Sequence, residues 1–424
     1  MKKQVLTLLA ALLLLLPLSA QNDRPYLSEE EVRSSISLLP PPPAEGTIEF
    51  LMDKFAYWEY YRLRTTDPER AAQAIADADL SDVGAKFAEA FGLEVTPETM
   101  PETFLLLSRS RECFGSSGSN EAKRYYKRTR PFVYFGSNTL VPEDEGWLKT
   151  NYSYPSGHTA NYFGLAYILS DLRPERTEAL QRRAEQGGIS RLIVGVHWAS
   201  DVAAGKMVAA SVFEYLKRNP AYQEQFRKAQ LEVQLQLALS EPHPALFNGK
   251  DLSGWKVVLK EGEKVRKPTF VADKGVLHIS GQPFGYIRTE DSYSNYILHL
   301  EWRWAGDKGV DGGIFHFLQG EDKVWPQGVQ LQMTPKDMGT LMGGIPIEGL
   351  EGPFYWKPRL TQDSPEKPVG EWNSMDFLCQ DGVITAFLNG VLVNQAHCDA
   401  REGYIGIQSE GGAMDLRNCW IKTL

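Results

Sequence analysis

Three short segments hold residues that together could handle a phosphoryl group. "KRYYKRTRP" contains Lys123 and Arg130. Their separation of seven, two helical turns, predicts that both lie on one face. "PSGH", Pro155 to His158, leads into the apolar helix pattern "YFGLAYILSDL". A turn that opens a helix offers backbone N–H donors to an anion, here at Ser156 and Gly157. "SRLIVGVHWASD" contains Arg191, His197 and Asp201. His197 and Asp201 are four apart, so on a helical face the carboxylate can accept from the imidazole Nδ1–H. That pairing fixes the tautomer and leaves Nε2 as a free nucleophile.

Each segment alone has an ordinary structural explanation: a solvated basic face, a helix cap, a hydrogen bond within a helix. Their sum fits one chemistry. A phosphoryl group spreads negative charge over its oxygens, so its transfer depends on positioning and electrostatic stabilisation. Lys123, Arg130 and Arg191 supply three cations, and guanidinium forks suit phosphate oxygens. His197 can attack phosphorus, and His158 can protonate the leaving alkoxide. These are the two histidines that precede residue 243.

The elements that must position these groups change character once along the chain. Up to about residue 240, helix patterns dominate, among them "SEEEVRSSI", "PERAAQAIADADL", "DVGAKFAEAFGL" and "PETFLLLSRSRECFG". Ser28 and Glu31 have capping-box spacing, and Pro40–Pro43 reads as a rigid connector. "EPHP" after Ser240 reads as a linker. Beyond it the pattern is that of strands. In "YILHLEWRW", Leu298, Leu300, Trp302 and Trp304 share one face, while His299, Glu301 and Arg303 share the other. Asp381-Gly382 and Asn389-Gly390 are hairpin turns. The reading is a multidomain chain: an all-α helical bundle over 21–240, followed by an all-β jelly-roll sandwich over 241–424.

With 424 residues, 42% hydrophobic and 23% charged, the chain is globular and too long for one typical domain. A net charge of -9 gives no bulk attraction to nucleic acid or to an anionic membrane, so neither is expected as a partner. Residues 1–20, "MKKQVLTLLAALLLLLPLSA", read as a signal peptide, with Lys2 and Lys3 ahead of an apolar stretch and a small-residue cleavage site at Ala20. No later stretch reaches the ~20 apolar residues of a membrane span. The mature chain is therefore expected to be periplasmic or secreted. Cys113, Cys379, Cys398 and Cys419 form no CxxC pair, which argues against a zinc site. An exported context permits a disulfide among the last three.

The set K-x6-RP, PSGH and SR-x5-H-x3-D resembles the three-part motif of the type 2 phosphatidic-acid phosphatase superfamily, which also includes vanadium haloperoxidases. "LPPPPAEGTIEFLMDK", "ADADL" and "YPSGHT" further resemble the bacterial class A non-specific acid phosphatases, over roughly residues 35 to 235. The resemblance implies hydrolysis of small phosphomonoesters with no metal or cofactor. His197 would be the nucleophile forming a phosphohistidine, Asp201 its orienting carboxylate and His158 the general acid. Lys123, Arg130, Ser156, Gly157 and Arg191 would hold the phosphoryl oxygens. One departure is Tyr152, where the class A enzymes usually carry glycine. That position is expected to border the pocket.

"LFNGKDLSGW", "YILHLEWRW", "GVQLQM" and "GYIGIQSEGGAMDLRNCWIKTL" resemble the 3-keto-disaccharide hydrolase domain, a concanavalin-like jelly roll. The resemblance implies a sugar or glycoside as ligand, with His299, Glu301, Arg303, Gln330 and Gln332 as candidate contacts. Related sequences often carry glutamate where Gln330 stands, which puts acid/base catalysis there in doubt. A vanadate-dependent haloperoxidase, and a glycan-binding protein with a secondary phosphatase half, are the alternative readings. Oligomeric state has no signal in the sequence.

Overall fold

A computed structural model describes residues 24–262 and 267–424. The signal peptide expected at 1–20 lies outside the described residues. The chain divides into two compact units, the first ending at Val233 and the second beginning at Gln234.

The first unit is helical. Its elements begin with α1 (Ser35–Leu38), α2 (Ile48–Thr66), α3 (Pro68–Ala76), α4 (Val83–Phe91) and α5 (Pro101–Glu112). A π-helical turn over Cys113–Ser117 follows, then α6 (Asn120–Tyr126), α7 (Pro131–Phe135) and α8 (Glu145–Leu148). The remainder is α9 (Gly157–Leu172), α10 (Thr177–Val194), α11 (Ala199–Leu216) and α12 (Pro220–Leu239), which runs across the division.

The sequence of α9 is apolar or small on every side, so it becomes the central helix, with α10 and α11 packed against it. Two glycines set the approach of these helices. Gly195 closes α10 at φ 84°, where a Cβ would lie 2.1 Å from Arg64 Nη2. A Cβ at Gly205 would lie 2.5 Å from the Ser156 carbonyl oxygen, so α11 crosses the start of α9 at backbone contact.

Two helical expectations are corrected. "SEEEVRSSI" gives only the single turn α1, capped by Ser34, because the proline run from Pro40 stops propagation. Ser28 and Glu31 instead form a turn in which the Ser28 N–H donates to the Glu31 carboxylate at 2.8 Å. Lys123 and Arg130 also do not share a helix. Lys127 leaves α6 in the left-handed conformation at φ 48°, and Arg130 is extended because it precedes Pro131.

The second unit is two antiparallel seven-stranded sheets. In spatial order the first sheet runs Trp255–Leu259, Gly285–Thr289, Tyr404–Ser409, Gly313–Gln319, Gln327–Gln332, Leu341–Gly343 and Tyr355–Lys357. The second runs Val391–His397, Val383–Leu388, Asn373–Gln380, Tyr296–Trp304, Met414–Thr423, Val276–Ile279 and Phe270–Asp273. Leu298, Leu300, Trp302 and Trp304 of the second sheet share one core with Ile314, Val329 and Leu331 of the first. This is the layered packing of a jelly-roll-like sandwich. Asp381-Gly382 and Asn389-Gly390 make the hairpins, with positive φ at all four residues. All four cysteines are free and buried, so the disulfide that an exported context would permit is not formed. Among the described residues no helix is long and apolar enough to cross a membrane.

Candidate active site

Lys123, Arg130, Gly157, His158, Arg191 and His197 line one cavity of about 360 Å³ in the helical unit. A roomier concavity of about 500 Å³ lies at Gln73, Lys86, Arg183 and Gln186. It has no histidine, and its Arg183 is committed to Asp77 at 2.5 Å.

The backbone brings the six groups together from five places in the chain. Lys123 comes from α6 and Arg130 from the cap of α7. Gly157 and His158 open α9, and Arg191 sits in the last turn of α10. His197 follows the Gly195 turn and precedes α11. It is not on the helix, as the four-residue spacing had suggested. Trp198 is the N-cap of α11, and Asp201 accepts its N–H at 2.8 Å. The same carboxylate oxygen lies 3.3 Å from His197 Nδ1. The expected pairing therefore forms through a capping geometry rather than along a helix face.

With Nδ1–H given to Asp201, Nε2 carries the lone pair. Arg130 Nη1 covers it at 3.2 Å. The same Nη1 donates to the Val196 carbonyl, and Nε and Nη2 are anchored to main-chain oxygens of Leu148, Asn151 and Tyr152. Lys123 Nζ also donates to the Tyr152 carbonyl, at 2.9 Å. Position 152 thus serves through its backbone, and its side chain does not line the cavity.

Arg191 differs from its neighbours. It is 2% exposed, and its Nε and Nη1 have no acceptor. Leaving a buried donor unpaired costs about 1–3 kcal/mol. Arg191 lines the cavity, so these two donors are available to an anion there.

Burial drives the electrostatics. It pushes Arg191 down to about 10 and Arg130 to about 9. Lys123 is also lowered well below the usual range, by burial and then by Arg130. Burial, followed by Arg130, Lys123 and Arg191, holds His197 well below the ordinary histidine value. Burial, followed by Arg191, does the same to His158. Both imidazoles are thus biased towards the neutral form. His158 Nε2 faces the Ala78 carbonyl at 2.9 Å. A carbonyl only accepts, so Nε2 carries the proton and Nδ1 is left for a substrate.

Ser156 requires a correction. Its backbone N–H is spent on the Asp201 carbonyl at 3.0 Å, so it offers no main-chain donor to an anion. Its hydroxyl accepts from the N–H and the hydroxyl of Thr159. The hydroxyl's own proton is the one donor that Ser156 retains.

Arg128 and Asp53 were not singled out from the sequence. Arg128 is buried and donates to Asp201 Oδ1 and to Asp53 Oδ2, both at 2.6 Å. Asp53 in turn accepts from the Ser200 N–H at 2.9 Å. The orienting carboxylate is thus held by a buried guanidinium. The spacing to Arg130 was the available signal, since residues two apart in an extended stretch point the same way. Arg128→Met should cost about 3–5 kcal/mol, the range for breaking a buried pair. Adding Asp53→Asn should restore part of it. Thermal unfolding of the three proteins measures this, and a loss below 1 kcal/mol would contradict the pairing.

In the second unit the candidate sugar contacts separate. Strand alternation puts Leu298, Leu300, Trp302, Val329 and Leu331 in the shared core, so their polar neighbours point out through opposite faces. His299, Glu301 and Arg303 lie on the second sheet and are committed there: to Asp376 at 2.6 Å, Arg417 at 2.7 Å and Asp415 at 2.8 Å. Gln330 and Gln332 lie on the first sheet. Gln330 Nε2 donates to Gln332 at 3.0 Å and to Gln408 at 2.9 Å. Gln408 reaches Glu410 at 2.6 Å. Burial, then Asp311, raises the Glu410 carboxyl to about 7. Glu410 and Asp311 lie in glycine-flanked turns, where the strand pattern gave no hint of them.

Residues 110–223 match the PAP2 superfamily, and residues 243–422 match the 3-keto-alpha-glucoside-1,2-lyase-like domain. The non-specific acid phosphatase of Salmonella typhimurium is 38% identical over 248 residues, 58% of this chain and 99% of that protein. That of Providencia stuartii is 40% identical over 216 residues, 50% of this chain and 86% of that protein. Among solved structures, a Bacillus licheniformis β-glucanase covers 42% of this chain and 96% of its own, at 14% identity and a TM-score of 0.32.

Proposed function

The chain belongs to the non-specific acid phosphatases of the PAP2 superfamily, and we propose that it hydrolyses phosphomonoesters through a phosphohistidine on His197. The observation that carries this reading is Arg191, with two buried donors unpaired beside an imidazole oriented by Asp201. The phosphoryl dianion takes the Arg191 donors and draws Arg130 Nη1 off His197 Nε2, with Lys123, the Gly157 N–H and the Ser156 hydroxyl completing the cradle. Nε2 then attacks phosphorus as the P–O ester bond breaks. The dianion offsets the cations that, after burial, disfavour the His158 imidazolium, so its Nδ1 takes a proton from solvent and passes it to the leaving alkoxide. Water next attacks phosphorus, passes its proton to His158 Nδ1, and the P–N bond breaks.

The test is turnover of p-nitrophenyl phosphate with excess chelator. Loss of all activity on chelation would overturn the metal-independent route. His158→Ala should slow alkyl phosphates about 10²–10⁴-fold, the range for general acid catalysis, and p-nitrophenyl phosphate far less. Only poor leaving groups need the proton, so equal losses on both would remove His158 from the acid role.

The leader pattern at 1–20 supports export, with a phosphatase domain over 21–240 and the sandwich over 241–424. For the sandwich, the Gln330, Gln332 and Gln408 network beside Glu410 and Asp311 supports the first sheet's outer face as the sugar site. The ion-paired face of His299, Glu301 and Arg303 then serves the fold.

A further inference from the structure

The cavity is longer than its cationic end. At about 360 Å³ it falls in the range of sites that hold a small organic ligand. Beyond Lys123, Arg130, Arg191 and His197, its wall includes Glu112, Gly115, Ser116, Asn120, Trp147 and Asn161, with Leu80 and Leu148 adding apolar surface. Asn161 lies on α9 one turn after His158, so the two side chains share a face. His158 meets the ester oxygen, and Asn161 therefore meets the next atoms of the leaving group.

Asn161 is 8% exposed, and its Oδ1 is buried without a partner. Buried amide oxygens are nearly always paired, so the exception calls for an occupant of the cavity. The π turn crowds this carboxamide: a Cβ on Gly115 would lie 2.6 Å from Asn161 Nδ2. A bulkier residue at 115 would close the subsite.

The charges nearby narrow the ligand further. Arg111 is spent on the Leu80 carbonyl and on Glu112 Oε1 at 2.9 Å. Among the described residues, the one other cation lining this end, Arg111, is thus held by a carbonyl and a carboxylate. The Glu112 carboxylate is half exposed and accepts from the Ser116 hydroxyl at 3.0 Å, with lone pairs to spare. The Glu112 carboxylate and Asn161 Oδ1 therefore offer acceptors to hydroxyl groups where the leaving group sits.

We propose that Asn161 is a specificity-determining residue and that the leaving group it selects is neutral and polyhydroxylated, as in sugar phosphates. This rests on the phosphatase reading above. The matched substrates are glucose 6-phosphate and cyclohexylmethyl phosphate, which keeps the ring and loses the hydroxyls. For the wild type, kcat/KM for the sugar ester should exceed that for the carbocycle at least tenfold. In Asn161→Leu and Asn161→Ala that ratio should fall tenfold or more, with inhibition by inorganic phosphate retained to report an intact cationic end. A ratio unchanged in both variants, or a wild type with no preference, overturns the subsite and leaves the phosphatase reading standing. A wild type inactive on both esters and on p-nitrophenyl phosphate overturns both.

Discussion

His197→Ala will lower kcat for p-nitrophenyl phosphate by about 10⁴-fold or more, the scale seen when a covalent nucleophile is removed. The chain will remain folded, since His197 gives up one contact to Asp201, and that carboxylate keeps Arg128 and the Trp198 N–H. The wild type, quenched during turnover of labelled substrate, will carry an acid-labile, alkali-stable phosphoryl group on His197. The variant will carry none. Activity within tenfold of wild type, or label on another residue, would move the nucleophile elsewhere.

Arg191→Met will reduce kcat/KM about 10³-fold, or ~4 kcal/mol of transition-state stabilisation. Arg191→Lys will recover little, because one ammonium cannot present the two in-plane donors that Nε and Nη1 offer. The pH profile supplies a second readout. After burial, Arg191 is the largest cause of the lowered His158 value, and it also acts on His197. Removing that cation makes each imidazolium easier to form. Protonation of His197 blocks attack, so the acidic limb of the residual activity will move to higher pH. A loss under tenfold, full rescue by lysine, or an acidic limb that stays in place would each count against the assigned role.

The site was legible in the sequence to the extent that chemistry is carried by residue type. Both histidines, the orienting carboxylate and the three cations were identifiable, because each is scarce or regularly spaced. The path of the backbone between them was not. Lys123 and Arg130 meet in space although Lys127 and Pro131 break the helix that would have aligned them. Arg128 is one of five cations in the stretch from Lys123 through Arg130, and type alone does not say which turns inward. The tyrosine at 152 looked like a departure at the pocket, yet only its carbonyl is used. In the sandwich, alternation read each strand's two faces correctly. It could not reveal which sheet a strand joins, since pairing depends on distant partners, and so His299 and Gln330 ended on opposite surfaces.

The cover that Arg130 places over His197 Nε2 has a further consequence, for poisoning. A neutral imidazole with an open lone pair is a good ligand for copper or zinc ions. Here that lone pair faces a guanidinium, and Lys123 and Arg191 line the same cavity. A divalent cation must displace Arg130 in a cavity that Lys123 and Arg191 also line, whereas the same field favours an anion. A site of this kind sorts visitors by sign before any contact is made, and on the proposed mechanism it would keep His197 unmetallated between turnovers.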